Sequence, residues 1–342
     1  MNNSVEFLQK QRYIGDPDAD QLVAGLFESK IEKELYQVLG TPAEALFSLQ
    51  GINKELIQFL YSKRPVPHWF DPKKIAIGQQ FYRKYASEIM MLLGAMSLPY
   101  CYAASPGNKA IHLTEKMRNK PGKRLLETAQ YVIKLMEPGS FDEGGIGLPF
   151  INKTRLVHAM VRYMLVKHAD WNMDWGVPIN QEDMAGTNLA FSFTIINGLE
   201  KQDFPITPEQ VEGFLHVWRY IGYQMDIHEE LLIKNMQEAA DLESVIRARH
   251  FKSSMEGQQL MQDLLKHYRE EFPWLAAQLV ENQIRYFLGN EIADMLDLEK
   301  KPGKDALVSV INRFKNQINK RFHVSTYSTM MKNHERLKQI HG

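Results

Sequence analysis

Between Thr154 and His168 the chain reads TRLVHAMVRYMLVKH. Leu156, Val157, Met160, Val161, Met164 and Leu165 make this segment apolar on nearly every side, with no glycine or proline to interrupt it. A segment of that kind is a helix at the centre of a core. Arg155, His158 and Arg162 break the pattern on one side only. At ~100° per residue, Arg155 lies about 60° and Arg162 about 40° to the same side of His158, so the three form one stripe. Two guanidinium groups in apolar surroundings require anions, and the segment itself contains no carboxylate.

The stripe admits three readings. A haem would satisfy it: neutral imidazole is a common axial ligand of haem iron, and guanidinium forks match the propionates. Ordinary ion pairs around a buried histidine account for the same residues, and so does another anionic ligand. The stripe alone leaves these open.

Outward from this segment the chain is a string of helices. DPDADQLVAGLFES begins with Asp16 and Pro17, a helix start. TPAEALFSLQG offers Thr41 as cap and Gly51 as stop, and ITPEQVEGFLHVWRYIG repeats that grammar from Thr207 to Gly222. Amphipathic stripes mark SMEGQQLMQDLLKHYREEFPWL and, over 305–319, DALVSVINRFKNQIN. No alternating strand pattern with an Asn-Gly turn is present. The expected fold is all-α, about a dozen helices in a single domain over 1–342. Three short connectors are expected: Ser62–Lys74, Met136–Phe150 and Ala169–Asp183.

Bulk properties narrow the function classes. The chain has 342 residues, 44% of them apolar, with 41 basic and 41 acidic side chains. That balance gives no global attraction to nucleic acid or anionic membrane. The one cysteine, Cys101, allows no internal disulfide and no paired-cysteine metal site, which fits a reducing, cytoplasmic setting. EIMMLLGAMSLPYCYAA, Glu88–Ala104, is the most apolar window; it is too short to span a bilayer, is broken by Pro99, and reads as a buried helix. No Glu-x-x-His pair, complete zinc-protease motif, phosphate loop or Gly-x-Ser-x-Gly elbow occurs.

RLVHAMVRYML, followed by WGVPINQEDMAGTNLAFSF and VWRYIGYQMDIHEELL, resembles the family of latex clearing proteins and fungal mycophenolic-acid-pathway oxygenases. The resemblance covers roughly residues 67 to 235, about half the chain. The family's Arg-x-x-His-x-x-x-Arg is met by Arg155, His158 and Arg162. It implies an all-helical fold with a globin-like core, b-type haem with His158 as proximal iron ligand, and Arg155 and Arg162 as cofactor-binding neighbours. It also implies dioxygen chemistry on an apolar, unsaturated small molecule or polymer, by cleavage of a carbon–carbon double bond. Arg124, Glu127 and Thr128 are the candidates for catalytic roles. They occupy RLLET, where rubber-cleaving members carry Arg-x-x-Lys-Thr, so Glu127 replaces a lysine that can cap the iron. Asn108 falls at or near the place of a glutamate base, which leaves Glu127 or Glu115 as substitutes. Two other readings stay open: a haem sensor or carrier without turnover, and a helical interaction protein without cofactor.

Further residues have plainer expectations. His112 is a weak candidate for a second axial ligand, His168 a surface or cap residue, and His216 a hydrogen-bonded core histidine. Trp171 and Trp175 are packing residues. Asn180 caps an ordinary helix start with acids in its first turn. Gly186 and Thr187 would suit a close approach of porphyrin or substrate, or simply close packing.

Overall fold

The structure, a computed structural model, describes residues 4–114, 121–169, 171–271, 274–300, 327–328, 330–332 and 334–335. The amphipathic stretch at 305–319 lies outside the described residues, as does Glu115. Among the described residues the chain is all-α, as its periodicity demands, and its one β-feature is an isolated bridge between Ala104 and Phe251. In chain order the helices are α1 (Val5–Gln11), α2 (Pro17–Glu28), α3 (Glu32–Gly40), α4 (Lys54–Leu60), α5 (Pro72–Lys84), α6 (Ala86–Leu92), α7 (Leu98–Ala103) and α8 (Ser105–Leu113). There follow α9 (Pro121–Met136), α10 (Gly147–His168), α11 (Gln181–Phe191), α12 (Phe193–Glu200), α13 (Pro208–Gln224), α14 (Met236–His250), α15 (Met255–Glu271) and α16 (Trp274–Met295).

The helix starts follow local chemistry. Asp16 accepts from the Ala19 N–H with Pro17 in the first turn, and Asp71 does the same ahead of Pro72. Thr207 and Gln210 form a reciprocal capping box. Two expected boundaries differ. The segment after Pro42 is a six-residue 3₁₀ helix, Ala43–Ser48, and Thr41 donates back to the Gln37 carbonyl instead of capping it. Gly222 does not end its helix: α13 runs on to Gln224, and Asp226 takes the left-handed conformation (φ 64°). Gly222 is needed for room, because a Cβ there would lie 2.7 Å from Leu232 Cδ2.

The apolar window from Glu88 is buried but is not one uniform helix. A π-turn, Leu93–Ser97, lies between α6 and α7, and the Leu98 N–H reaches back to the Leu93 carbonyl. Pro99 then sits in the first turn of α7, where a missing N–H costs least. No helix among the described residues is long and apolar enough to cross a membrane.

The core forms two apolar clusters. The larger is built on α5–α7, α12, α13 and α15 and takes in Leu148 and Ile151 of α10. The smaller joins α2, α3 and α4 to Leu156 and Ala159 further along α10. Helix α10 therefore runs between both and touches α2, α3, α4, α8, α9 and α13. Helices α5 and α13 meet backbone to backbone, where a Cβ on Gly78 would collide with the Gly213 carbonyl.

Candidate functional site

On α10, Arg155 and Arg162 are only 4% and 3% exposed. The anions their helix lacks come from α2. Asp16 accepts from Arg155 Nε at 2.7 Å and Nη2 at 2.9 Å, a bidentate pair. Asp20 accepts from Arg162 Nε at 2.7 Å, and the Ile179 carbonyl accepts from Nη1 at 3.1 Å. Burial works against the Arg155 charge, but the bonds to Asp16 outweigh it and hold this guanidinium above its ordinary range. Burial lifts the Asp20 carboxyl, with Arg162 opposing. Arg155 thus has no free fork for a carboxylate ligand, whereas Arg162 keeps Nη2 buried and without a partner. Of the three readings of the stripe, the ion pairs account for Arg155 completely and for Arg162 in part. They leave His158 unexplained.

No group among the described residues bonds the His158 imidazole, and its Nδ1 is buried and unpartnered. Burial, then Arg162 and Arg124, push its pKa down to about 3, with Asp16 opposing. The ring is therefore neutral and has a lone pair to offer. His158, Arg124, Tyr131 and Cys101 are each half-buried, and Arg124 bears electrostatically on both His158 and Cys101. Burial raises the Cys101 thiol to about 12 and pushes the Tyr131 phenol up as well, so both are neutral.

Helix α9 brings the second candidate group toward His158. Arg124 is close enough to act on His158, and burial lowers its own pKa while Tyr102 and Glu127 favour the charge. The Thr128 hydroxyl donates to the Arg124 carbonyl at 2.9 Å, one turn back along its own helix. Tyr131 lies seven residues after Arg124 and so on the same face. Asn108 is fully buried: its amide donates to the Tyr102 carbonyl at 2.6 Å and to Ser254 Oγ at 3.0 Å. That amide takes no proton at neutral pH. His112, on the same helix, lies close to Glu256.

The remaining expectations resolve one by one. His168 is exposed at the end of α10. His216 accepts from the Asp71 N–H at 3.0 Å, and burial pushes its pKa to about 4, so it is the hydrogen-bonded core histidine expected. Trp171 and Trp175 pack edge to face, and Lys109 sits over the Trp175 ring. Thr187 is exposed and bonded to its own helix, while a Cβ on Gly186 would make only ordinary contact with Ile246. Asn180 caps α11 as expected, accepting from the Asp183 N–H at 2.9 Å, but one of the acids that follow does more than complement the helix start. Glu182 is wholly buried, accepts from Arg249 Nε at 2.8 Å, and lies 3.0 Å from His250 Nε2 and 3.4 Å from Arg12 Nη1.

Sequence reasoning missed Asp16, Asp20 and Tyr131. The one local signal was two acids four residues apart on an otherwise apolar helix face.

A family model described as the catalytic domain of the ER-bound oxygenases mpaB/B' and the rubber oxygenase matches residues 82–315. The chain belongs to this family. The match reaches further toward the C-terminus than the stretches that carry the resemblance. A rubber oxygenase of Streptomyces sp. (strain K30) is 23% identical over 301 residues, covering 87% of this chain and 74% of the relative. A latex clearing protein solved in its closed state superposes with a TM-score of 0.78 at 22% identity, over 90% of this chain and 84% of its own. That likeness shows a shared fold: the family's helical architecture is present across nearly the whole chain.

Proposed function

We propose that this chain is a b-type haem-dependent oxygenase that cleaves a carbon–carbon double bond in an apolar, isoprenoid- or lipid-like substrate. The observation that carries the reading is the His158 imidazole, neutral, without a partner among the described residues and within electrostatic reach of Arg124 and Arg162. Among the described residues no three His, Cys, Asp or Glu side chains converge to hold a metal. A lone imidazole fits an iron whose other ligands come from a macrocycle. The relatives' names add support, since one is a rubber oxygenase and one a latex clearing protein.

Haem, when bound, supplies the dioxygen chemistry, and the protein supplies binding, orientation and electrostatics. His158 would hold the haem iron. Arg162 Nη2–H is a buried donor for a carboxylate arm of the macrocycle, a role for which Arg155 has no capacity left. Arg124 places a cationic donor in a dry site, where its field is far stronger than in water. Thr128, whose hydroxyl donates its hydrogen bond to the Arg124 carbonyl, presents its oxygen lone pairs as acceptors. Glu127 is the carboxylate nearest Arg124 in sequence and takes the place of Asn108 as the group able to hold a proton. Tyr131 and Cys101 stay neutral, as suits an apolar substrate.

The test is the absorption spectrum of the purified protein before and after dithionite, followed by oxygen uptake with polyisoprene and squalene. A Soret band, and uptake that His158→Ala abolishes, are expected. A colourless protein after expression with excess haem defeats the reading and leaves a cofactor-free helical interaction protein. A second reading, a haem carrier or sensor without turnover, draws on the Asn108 amide at the base position and the back-bonded Thr128 hydroxyl. It predicts a Soret band with stable gas complexes and no uptake on any alkene.

A further inference from the structure

The stretch Arg12–Asp20 lies outside the segment that the family model matches, yet it is laced into the site. The Arg12 carbonyl accepts from the Val177 N–H at 2.8 Å, and the Ile14 carbonyl from the Gln181 N–H at 2.9 Å. Gln181 Nε2 donates to the Gly15 carbonyl at 2.8 Å. The Asp16 N–H donates to Asp20 Oδ2 at 3.2 Å, so the two carboxylates form one unit. Gly15 lies against that unit: a Cβ there would be 2.6 Å from Asp20 Oδ2 and 2.9 Å from Arg162 Nε. The two guanidiniums that flank His158 on its helix are therefore neutralised by carboxylates held in place from the other side of the smaller core cluster.

We propose that Asp16 and Asp20 are positioning residues that set the charge around the His158 ligand, so that α2 is part of the cofactor site. This rests on the reading of His158 as a haem ligand. Each carboxylate cancels one positive charge beside that ligand. Removing either leaves net positive charge in a low-dielectric site, and positive charge favours the reduced, less positive form of the haem. The midpoint potential must then rise. The compensation is uneven: Arg155 is fully engaged, whereas Arg162 keeps one unpartnered nitrogen and has a half-exposed partner.

The test is a spectroelectrochemical titration of the haem-loaded full chain. Asp20→Asn and Asp16→Asn keep an oxygen acceptor, and asparagine caps a helix as well as aspartate does, so charge is separated from folding. Each is expected to retain haem and to shift the reduction equilibrium at least about threefold toward the reduced form, ~28 mV at 59 mV per tenfold for one electron. Glu28→Gln, an exposed neutralisation at the end of α2, is expected to leave the potential in place. Asparagine variants with full haem and a potential equal to that of Glu28→Gln overturn the proposal. Where an asparagine variant does not fold, Asp20→Glu decides: with the charge kept, a wild-type potential supports the proposal and a raised one overturns it. A wild-type chain without a Soret band removes the haem reading and this inference together, whereas a Soret band with an unmoved potential removes this inference alone.

Discussion

Asp16 grips both arms of the Arg155 fork, Nε at 2.7 Å and Nη2 at 2.9 Å, while its Oδ1 also caps α2 at the Ala19 N–H. One carboxylate thus begins a helix and neutralises a cation 139 residues away. Breaking a buried pair strands the remaining charge. Asp16→Ala is expected to cost about 3–5 kcal/mol in urea unfolding. Asp16→Asn, which keeps the cap, is expected to cost less. Equal losses for the two would show that the charge accounts for the whole effect and the cap adds nothing.

Gly15→Ala tests the packing around the second pair. Its added methyl group must displace either Asp20 Oδ2 or Arg162 Nε. Overpacking of this kind is expected to cost about 1–3 kcal/mol. The same substitution at Gly25, whose Cβ would meet nothing within 4 Å, is expected to be neutral or slightly stabilising, and serves as the control.

His158→Ala should separate cofactor binding from folding. The imidazole bonds no group among the described residues, so its removal relieves an unpaired buried polar atom and offsets part of the cavity it leaves. Haem content per chain, read from the Soret absorbance, is expected to collapse. The melting temperature of the haem-free chain is expected to shift by only a few degrees. Full haem content in this variant would remove His158 as the ligand.

His216 sets an acid-side signature. Its folded pKa is pushed to about 4, by burial first and then by Lys74 and Arg219. Between that value and the unfolded value near 6.5 the unfolded chain binds a proton that the folded chain does not. Stability is therefore lost as pH falls from about 6.5 to about 4. His216→Gln, which keeps an acceptor for the Asp71 N–H, is expected to flatten that part of the stability–pH curve. An unchanged slope would mean that the imidazole is protonated in place.

The all-helical fold and the central place of α10 were legible because they rest on periodicity, which is local. So was the hydrogen-bonded state of His216, since a histidine within GFLHVWRY has little besides backbone to bond. The counterions of Arg155 and Arg162 were not legible. Asp16 and Asp20 sit in a segment that looks like charged surface, and only tertiary packing turns them inward. Glu182 escaped for the same reason: an acid in a first helical turn is ordinary until Arg12, Arg249 and His250 close over it from two other parts of the chain. The 3₁₀ form of Ala43–Ser48 lay beyond composition too, because Thr41 spends its hydroxyl on the preceding helix.

The π-turn at Leu93–Ser97 inserts one residue into what would otherwise be a continuous helix. An extra residue rotates everything downstream by about 100°. That rotation lets Ile89 and Leu92 on one side of the turn, and Tyr102 and Ala103 on the other, all point into the same interior. A deletion of a single residue there would smooth the backbone and swing half of these side chains toward water. The segment that carries Cys101 thus owes its orientation to an irregularity, and a designer who straightened it would improve the helix and lose the packing.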